Sequence, residues 1–192
     1  MLIVLTGKYC AGKNHTAELL SARGIPVLDA DKMGYEVLET EKETIFTQFG
    51  SDLQKADGSP DRRLLGQRVF GHQEKLAKLE AIVHPAVDRL IENWIKDKKE
   101  HSHCVINAAL LHKSRIFSQF DRIILVKAPF FTRFLRARRR DKLSWRELIN
   151  RFASQNDFSS QYLAINAEIY IVENRGNSGL ESRIYKFIEG LK

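Results

Sequence analysis

The sequence predicts an α/β protein built on a central parallel sheet of five strands, with helices on both faces. Two observations carry this. Short, apolar, β-rich runs alternate with helical patterns along the chain, as in strands joined by crossover helices. And the first apolar run passes through a glycine-containing turn straight into a helical pattern: Leu2-Ile3-Val4-Leu5-Thr6, then Gly7-x-x-x-x-Gly12-Lys13. A length of 192 residues suits one domain of ordinary size with a small insertion, and an apolar share of 43% is enough for a real core.

The elements follow in order. Leu2–Thr6 reads as a buried strand and Lys13–Arg23 as a helix, stopped by Gly24 after a basic residue. Ile25–Leu28 is a second short strand that runs into Asp29-Ala30-Asp31, and helical patterns continue over Lys32–Glu39 and Lys42–Phe49. Asp57-Gly58-Ser59-Pro60-Asp61 is a turn cluster in which Asp61 can cap a helix over Arg62–Phe70. Gln73–Val83 is amphipathic, and Pro85 suits the first turn of a separate helix reaching about Lys99. Cys104–Ile106 and Arg122–Val126 are the third and fourth strands, and Pro129 opens a helix through a run of arginines. Ser144 and Glu147 form a capping box for a helix to about Gln155. Ile169–Val172 is the last strand and Gly179–Leu191 a terminal helix.

Composition narrows the function classes. The two cysteines, Cys10 and Cys104, suggest neither a disulfide framework nor a metal cluster, and point to a reducing, cytoplasmic setting. No run approaches the roughly 18 apolar residues of a membrane span, and the start lacks the basic region of a signal peptide. The formal charge of +7 is concentrated in one segment, with Arg133, Arg136, Arg138, Arg139 and Arg140 followed by Arg146 and Arg151. No stacking-aromatic pattern of an RNA-recognition module accompanies it, so no nucleic-acid partner is expected.

The glycine loop carries the strongest chemical signal. Successive backbone N–H groups in such a loop form an anion nest, and the following helix N-terminus adds partial positive charge. Lys13 supplies a cation for the outer phosphates of a nucleotide. Asn14 stands where Ser or Thr usually contacts Mg²⁺. Its amide oxygen is also a hard ligand, able to hold the metal directly or through water; the alternative is an impaired metal site. His15 beside it reads as a packing or capping residue.

Asp29 and Asp31 lie at the strand edge where α/β proteins bind ligands. If both belong to the strand, their carboxylates face one cleft. One could then accept the proton of a hydroxyl nucleophile, and the other could hold Mg²⁺ through water. The simpler reading is that Asp31 caps a helix. Arg133, Arg136 and Arg140 share a helix face at spacings of three and four. They form a solvated face, a nucleic-acid patch, or a lid that neutralises charge during phosphoryl transfer.

Together these residues resemble the dephospho-CoA kinase family. The matching pieces are Leu5-Thr6-Gly7 with Gly12-Lys13, Asp29-Ala30-Asp31, Phe49-Gly50, Asp57-Gly58 with Asp61-Arg62, and Val69-Phe70. Leu79-Glu80-Ala81-Ile82 with His84-Pro85, Leu110-Leu111, Arg136 with Arg140-Asp141, Leu143-Ser144, Arg151, Gln155, and Asn174 with Gly176 complete the series.

The resemblance implies a three-layer P-loop kinase fold with a helical substrate-binding insertion and a helical lid. It divides the chain into a nucleotide-binding core (1–31, 100–128, 165–192), a helical subdomain for the CoA substrate (32–99) and a lid (129–164). It implies transfer of the ATP γ-phosphate to the 3′-hydroxyl of dephospho-CoA, with ATP and Mg²⁺ required. Asp31, Lys13 and Arg140 match the catalytic positions. Cys10, Ala11, Gly12, Lys13, Asn14, His15 and Arg136 match the nucleotide site. Thr6, Asp29, Arg62 and His84 match the substrate side, and Asn14 is the candidate metal ligand.

The departures lie in the loop, after the third strand, and near the last strand, where Ala167-Glu168 replaces Ala-Asp and the spacing to Asn174 is one residue longer. The loop ends Lys13-Asn14-His15 where the family has Lys-Ser-Thr or Lys-Thr-Thr. Asn107-Ala108-Ala109-Leu110-Leu111-His112-Lys113 replaces Asp-x-Pro-Leu-Leu-Phe-Glu, which removes two carboxylates. They leave two alternatives open: a catalytically impaired nucleotide-binding homologue, or a kinase with another small-molecule acceptor.

Overall fold

The computed structural model describes residues 1–109, 114–141, 143–153, 167–176 and 179–191. Five strands, β1 (Leu2–Gly7), β2 (Val27–Asp29), β3 (Cys104–Asn107), β4 (Arg122–Lys127) and β5 (Glu168–Glu173), form one sheet in the order β2-β3-β1-β4-β5. Every neighbouring pair is parallel. β1 is central because its apolar run can be buried on both faces. It pairs Leu5 with Asn107 on one side and with Ile124 on the other. The carboxyl ends of β1, β2 and β3 therefore open at one edge of the sheet.

Eight α-helices occur among the described residues: α1 (Lys13–Ser21), α2 (Ala30–Thr40), α3 (Lys42–Phe49), α4 (Arg62–Val69), α5 (Gln73–Asp97), α6 (Phe130–Arg140), α7 (Trp145–Ala153) and α8 (Gly179–Glu189). Alternation along the strands sorts the core into two layers. Ile3, Leu5, Val105, Ile124 and Val126 meet Leu20 of α1 and Leu180, Ile184 and Phe187 of α8. Val4, Ile106, Ile123 and Leu125 face Ala30 of α2 and Ile91 of α5, with Ile116 and Phe120 alongside. Each wholly buried Ile or Leu contributes about 1.5–3 kcal/mol.

Two further apolar clusters serve the site. Ile45, Phe46, Phe49, Leu53, Leu65 and Val69 form the centre of the helical insertion, closed by Leu76, Leu79 and Ile82 of α5. Ala137, Leu148 and Phe152 join α6 to α7, with Phe134, Leu143, Tyr9 and Cys10 against them. The glycine loop is thus packed directly on the arginine-bearing hairpin.

The structure corrects three local expectations. Ile25 closes α1 through its N–H on the Leu20 carbonyl (3.3 Å), so β2 begins two residues later than expected. The chain turns helical at Ala30, earlier than expected, which takes Asp31 off the strand. And Pro85 does not start a new helix: α5 runs unbroken from Gln73 to Asp97 with Pro85 inside it. A helix-interior proline costs about 3 kcal/mol. Apolar contacts on both sides of it offset that cost, with Leu76, Leu79 and Ile82 in the insertion core and Val87, Ile91, Trp94 and Ile95 against the sheet.

Two capping expectations hold. Asp61 accepts the Leu64 N–H (2.9 Å). Ser144 and Glu147 bond reciprocally, Ser144 N–H to Glu147 Oε2 at 2.8 Å and Glu147 N–H to Ser144 Oγ at 3.3 Å. Gln155, Leu110-Leu111 and the His112-Lys113 departure lie outside the described residues.

Candidate active site

The loop between β1 and α1 is shaped by three residues. Gly7 lies so close to β4 that a Cβ there would sit 2.7 Å from the Val126 carbonyl oxygen. Cys10 adopts φ +59° and Gly12 φ +103°, both left-handed. The Ala11 N–H closes the turn on the Lys8 carbonyl (2.9 Å). Gly12 is the N-cap of α1 and brings no side-chain acceptor, so the first N–H groups of that helix remain available to an anion.

A cleft of about 600 Å³ lies over this loop. Gly7 to His15 line it together with Asp31, Ala109, Arg136, Arg139 and Arg140. At its centre Lys13 Nζ lies 2.6 Å from Asp31 Oδ2. The other Asp31 oxygen accepts the Ala109 N–H (3.1 Å). Asp31 is therefore fixed by a loop cation and by the backbone just beyond β3. Asp29 behaves differently: it accepts the Lys32 N–H (3.2 Å) and caps α2. The two carboxylates do not share a cleft, and the cap is Asp29 rather than Asp31.

Asn14 Oδ1 accepts a long hydrogen bond from Asn107 Nδ2 (3.4 Å), which joins α1 to the end of β3. Asn107 Oδ1 and the neighbouring Thr6 Oγ1 are buried and have no hydrogen-bond partner among the described residues. His15 points outward and contacts Glu18 (3.2 Å). Among the described residues, no group of three or more His, Cys, Asp or Glu side chains is arranged to hold a metal ion.

The arginine face is turned toward the loop. Arg136 donates to the carbonyls of Cys10 (3.3 Å) and Ala11 (3.2 Å), and to Asn174 Oδ1 (2.9 Å). Asn174 in turn donates to the Ala11 carbonyl (2.9 Å). Arg133 reaches the Tyr9 carbonyl (3.5 Å). The Tyr9 ring meets Phe152 edge-on at 5.5 Å, and its hydroxyl bonds the Asp141 carboxylate. The Arg140 and Arg151 guanidinium groups each lie 5.2 Å from the Tyr9 ring centre. Arg140 also forks onto Asp141 (2.9 and 3.0 Å).

Burial pushes the Cys10 thiol above its usual range, and the nearby arginines only partly oppose this. The same burial lowers the Arg133 guanidinium from its ordinary value.

A second cavity of about 190 Å³ adjoins the cleft, bounded by α2, α5 and the segment after β3. Asp31 lines both spaces, and His84, Asp88 and Ser114 supply the other polar groups of the second. Of the predicted substrate-side residues, only His84 reaches this cavity. Arg62 instead pairs with Glu39 (3.2 Å) and stacks over Tyr35 (4.8 Å). Sequence reasoning missed Tyr9, Ala109 and Asp88. An aromatic inside a glycine loop was a usable signal for Tyr9. Ala109 acts through its backbone N–H, which no side chain announces.

A family model described as dephospho-CoA kinase matches residues 1–178. A dephospho-CoA kinase of Bdellovibrio bacteriovorus is 34% identical, covering 99% of this chain and 97% of that protein. One from Treponema denticola is 31% identical over 91% of this chain and 82% of its own length. Among solved structures, a protein from Thermus thermophilus matches with a TM-score of 0.87 and 29% identity over 99% of this chain and 96% of that one. A dephospho-CoA kinase from Campylobacter jejuni shares the fold, with a TM-score of 0.66 and 24% identity over 100% and 97% of the two chains. The chain belongs to the dephospho-CoA kinase family.

Proposed function

We propose that this member of the dephospho-CoA kinase family transfers the γ-phosphoryl group of ATP to the 3′-hydroxyl of dephospho-CoA, forming coenzyme A. The observation that carries the reading is the position of Asp31, between a phosphate-binding loop and a second cavity that can seat an acceptor.

The loop amides from Cys10 to His15 and the α1 N-terminus hold the ATP phosphates, and Lys13 neutralises the outer ones. An acceptor hydroxyl entering from the second cavity meets Asp31, which orients it and takes its proton. Arg140 and Arg136 border the cleft with Asp31 and offset charge on the transferring group. Of the four substrate-side residues, His84 stands at the acceptor cavity, whereas Thr6, Asp29 and Arg62 do not line it.

Mg²⁺ fits the donor set on offer. Asn14 Oδ1 and the partnerless Asn107 Oδ1 are hard oxygens where the start of α1 meets the end of β3. They suit a hydrated ion carried in by the nucleotide, with Asp31 the one carboxylate lining the cleft among the described residues. Such an ion would neutralise charge on the nucleotide's phosphates.

The separate apolar clusters support a division into core, acceptor insertion and lid along 1–31, 100–128 and 165–192, then 32–99, then 129–164. Among the described residues no helix is long and apolar enough to cross a membrane, and a cytoplasmic setting is part of this reading. The test is direct: purified protein with ATP, Mg²⁺ and dephospho-CoA forms CoA and ADP in equal amounts. ATP binding without any CoA at high enzyme concentration would leave a nucleotide-binding homologue. Transfer to a different alcohol in an acceptor panel would reassign the substrate.

A further inference from the structure

Asp88 lies on α5 one turn beyond His84, is only 7% exposed, and lines the second cavity with Asp31. Its two oxygens are both engaged. Oδ1 accepts the Ser114 hydroxyl (2.5 Å) and Oδ2 the Arg115 N–H (3.2 Å). Ser114 Oγ itself accepts the Ile116 N–H (3.2 Å), so its proton is directed to Asp88. Two donors converge on this carboxylate. Among the described residues no Lys or Arg lines this cavity, whereas the nucleotide cleft carries Lys8, Lys13, Arg136, Arg139 and Arg140. The two spaces that meet at Asp31 thus have opposite character: one cationic, one carrying two carboxylates.

A buried carboxylate is costly, and tying a turn to a helix does not require one. Ile116, wholly buried in the sheet-side core, already anchors that turn. The charge therefore calls for a separate account.

We propose that Asp88 is a specificity residue of the acceptor cavity, one that admits an uncharged ribose hydroxyl and expels the same position once it carries a phosphate. The inference rests on the dephospho-CoA kinase reading. Substrate and product differ at that position by one phosphate monoester, worth about −1.5 to −2 charges at neutral pH. A fixed negative charge beside the position acts on the product and scarcely on the neutral hydroxyl. Asp88 thereby weakens product binding without weakening substrate binding, and speeds release.

The test compares affinities for CoA and dephospho-CoA by calorimetry in wild type, Asp88→Asn and Ser114→Ala. In Asp88→Asn, CoA affinity and CoA product inhibition rise about tenfold, while the KM for dephospho-CoA stays within about threefold. In Ser114→Ala, which keeps the charge and loosens the turn, the ratio of the two affinities is unchanged. Should Asp88→Asn fail to fold, the wild-type ratio itself decides: added salt shifts it toward CoA if repulsion operates. An unchanged ratio in Asp88→Asn, parallel loss of both ligands, or a salt-independent wild-type ratio overturns the proposal. Wild-type turnover of dephospho-CoA is measured alongside, so absence of CoA formation marks failure of the kinase reading, and normal turnover with an unmoved ratio marks failure of this one alone.

Discussion

Lys13 and Asp31 are joined by a 2.6 Å ion pair that spans from the first residue of α1 to the first turn of α2. Asp31 is about half exposed, so the pair adds little to stability. Its importance is positional. The pair puts the cation that meets phosphate and the carboxylate that meets the hydroxyl in contact, so incoming phosphates compete with Asp31 for Lys13. Asp31→Asn is expected to lower turnover by about 10²–10⁴-fold with ATP affinity near wild type. Single-turnover rates and nucleotide titrations read the two quantities separately, and an unchanged rate removes Asp31 from proton transfer.

Gly12 is the loop position least able to accept a side chain. It has φ +103°, and a Cβ there would overlap Asn174 Nδ2, the atom that satisfies the Ala11 carbonyl. Gly12→Ala is expected to abolish measurable ATP binding and to lower the thermal midpoint by several degrees. Left-handed strain alone costs about 1–2 kcal/mol, and loss of the Asn174 bond adds to it. Gly34→Ala is the control, because nothing lies within 4 Å of a Cβ there; it should melt at or slightly above the wild-type midpoint.

The amide pair Asn14–Asn107 predicts a metal phenotype. Its oxygens are neutral, whereas Mg²⁺ sites usually include a carboxylate. Asn107→Asp is expected to lower the Mg²⁺ concentration giving half-maximal nucleotide binding several-fold. Isothermal titration of ATP across a magnesium series reports this without reference to turnover. No change would exclude Asn107 from the surroundings of the ion.

Cys10 supplies a pH prediction. Burial raises its thiol above the ordinary value of 9.0. The folded state thus holds the proton more tightly than the unfolded chain, so this contribution to stability is complete below about pH 9 and is lost as pH rises through the shifted value. Alkylation of Cys10 by iodoacetamide, followed by peptide mass, should be slow at pH 7 and accelerate only above pH 9. Fast reaction at pH 7 would show a thiolate stabilised by the arginines instead.

Tyr9→Phe isolates the hydroxyl that bonds Asp141 from the ring that meets Phe152. The hydroxyl–carboxylate bond is partly buried, and its loss should cost about 1 kcal/mol. Tyr9→Ala should cost about 2 kcal/mol or more, because it also strips an aromatic partner from the cluster of α6 and α7. Chemical denaturation of the two variants gives the comparison; equal losses would assign the whole effect to the hydroxyl.

Much of this was legible before the structure. The parallel sheet followed from apolar runs buried on both faces, and the phosphate loop from glycines at positions where a Cβ strikes Val126 or Asn174. The capping residues Asp61 and Ser144 could be read because their bonds are local. What escaped depends on long-range contact. Pro85 looked like a helix start because propensity is local, while the packing that carries α5 through it comes from two separate cores. The Asp29-Ala30-Asp31 alternation failed because the strand ends at Asp29 and the helix begins at once. Asp88 was silent because a lone acid on an amphipathic helix is ordinarily solvated, and its burial is set by a turn 26 residues away.

The Ala11 carbonyl takes its hydrogen bond from Asn174, 163 residues further along the chain. β1, the first strand synthesised, must likewise wait about a hundred residues for β3, its earlier partner. At about 5–20 residues per second, the ribosome needs on the order of ten to thirty seconds to deliver the second half of that bond. The buried bond that closes the phosphate loop is therefore among the last to form on the ribosome.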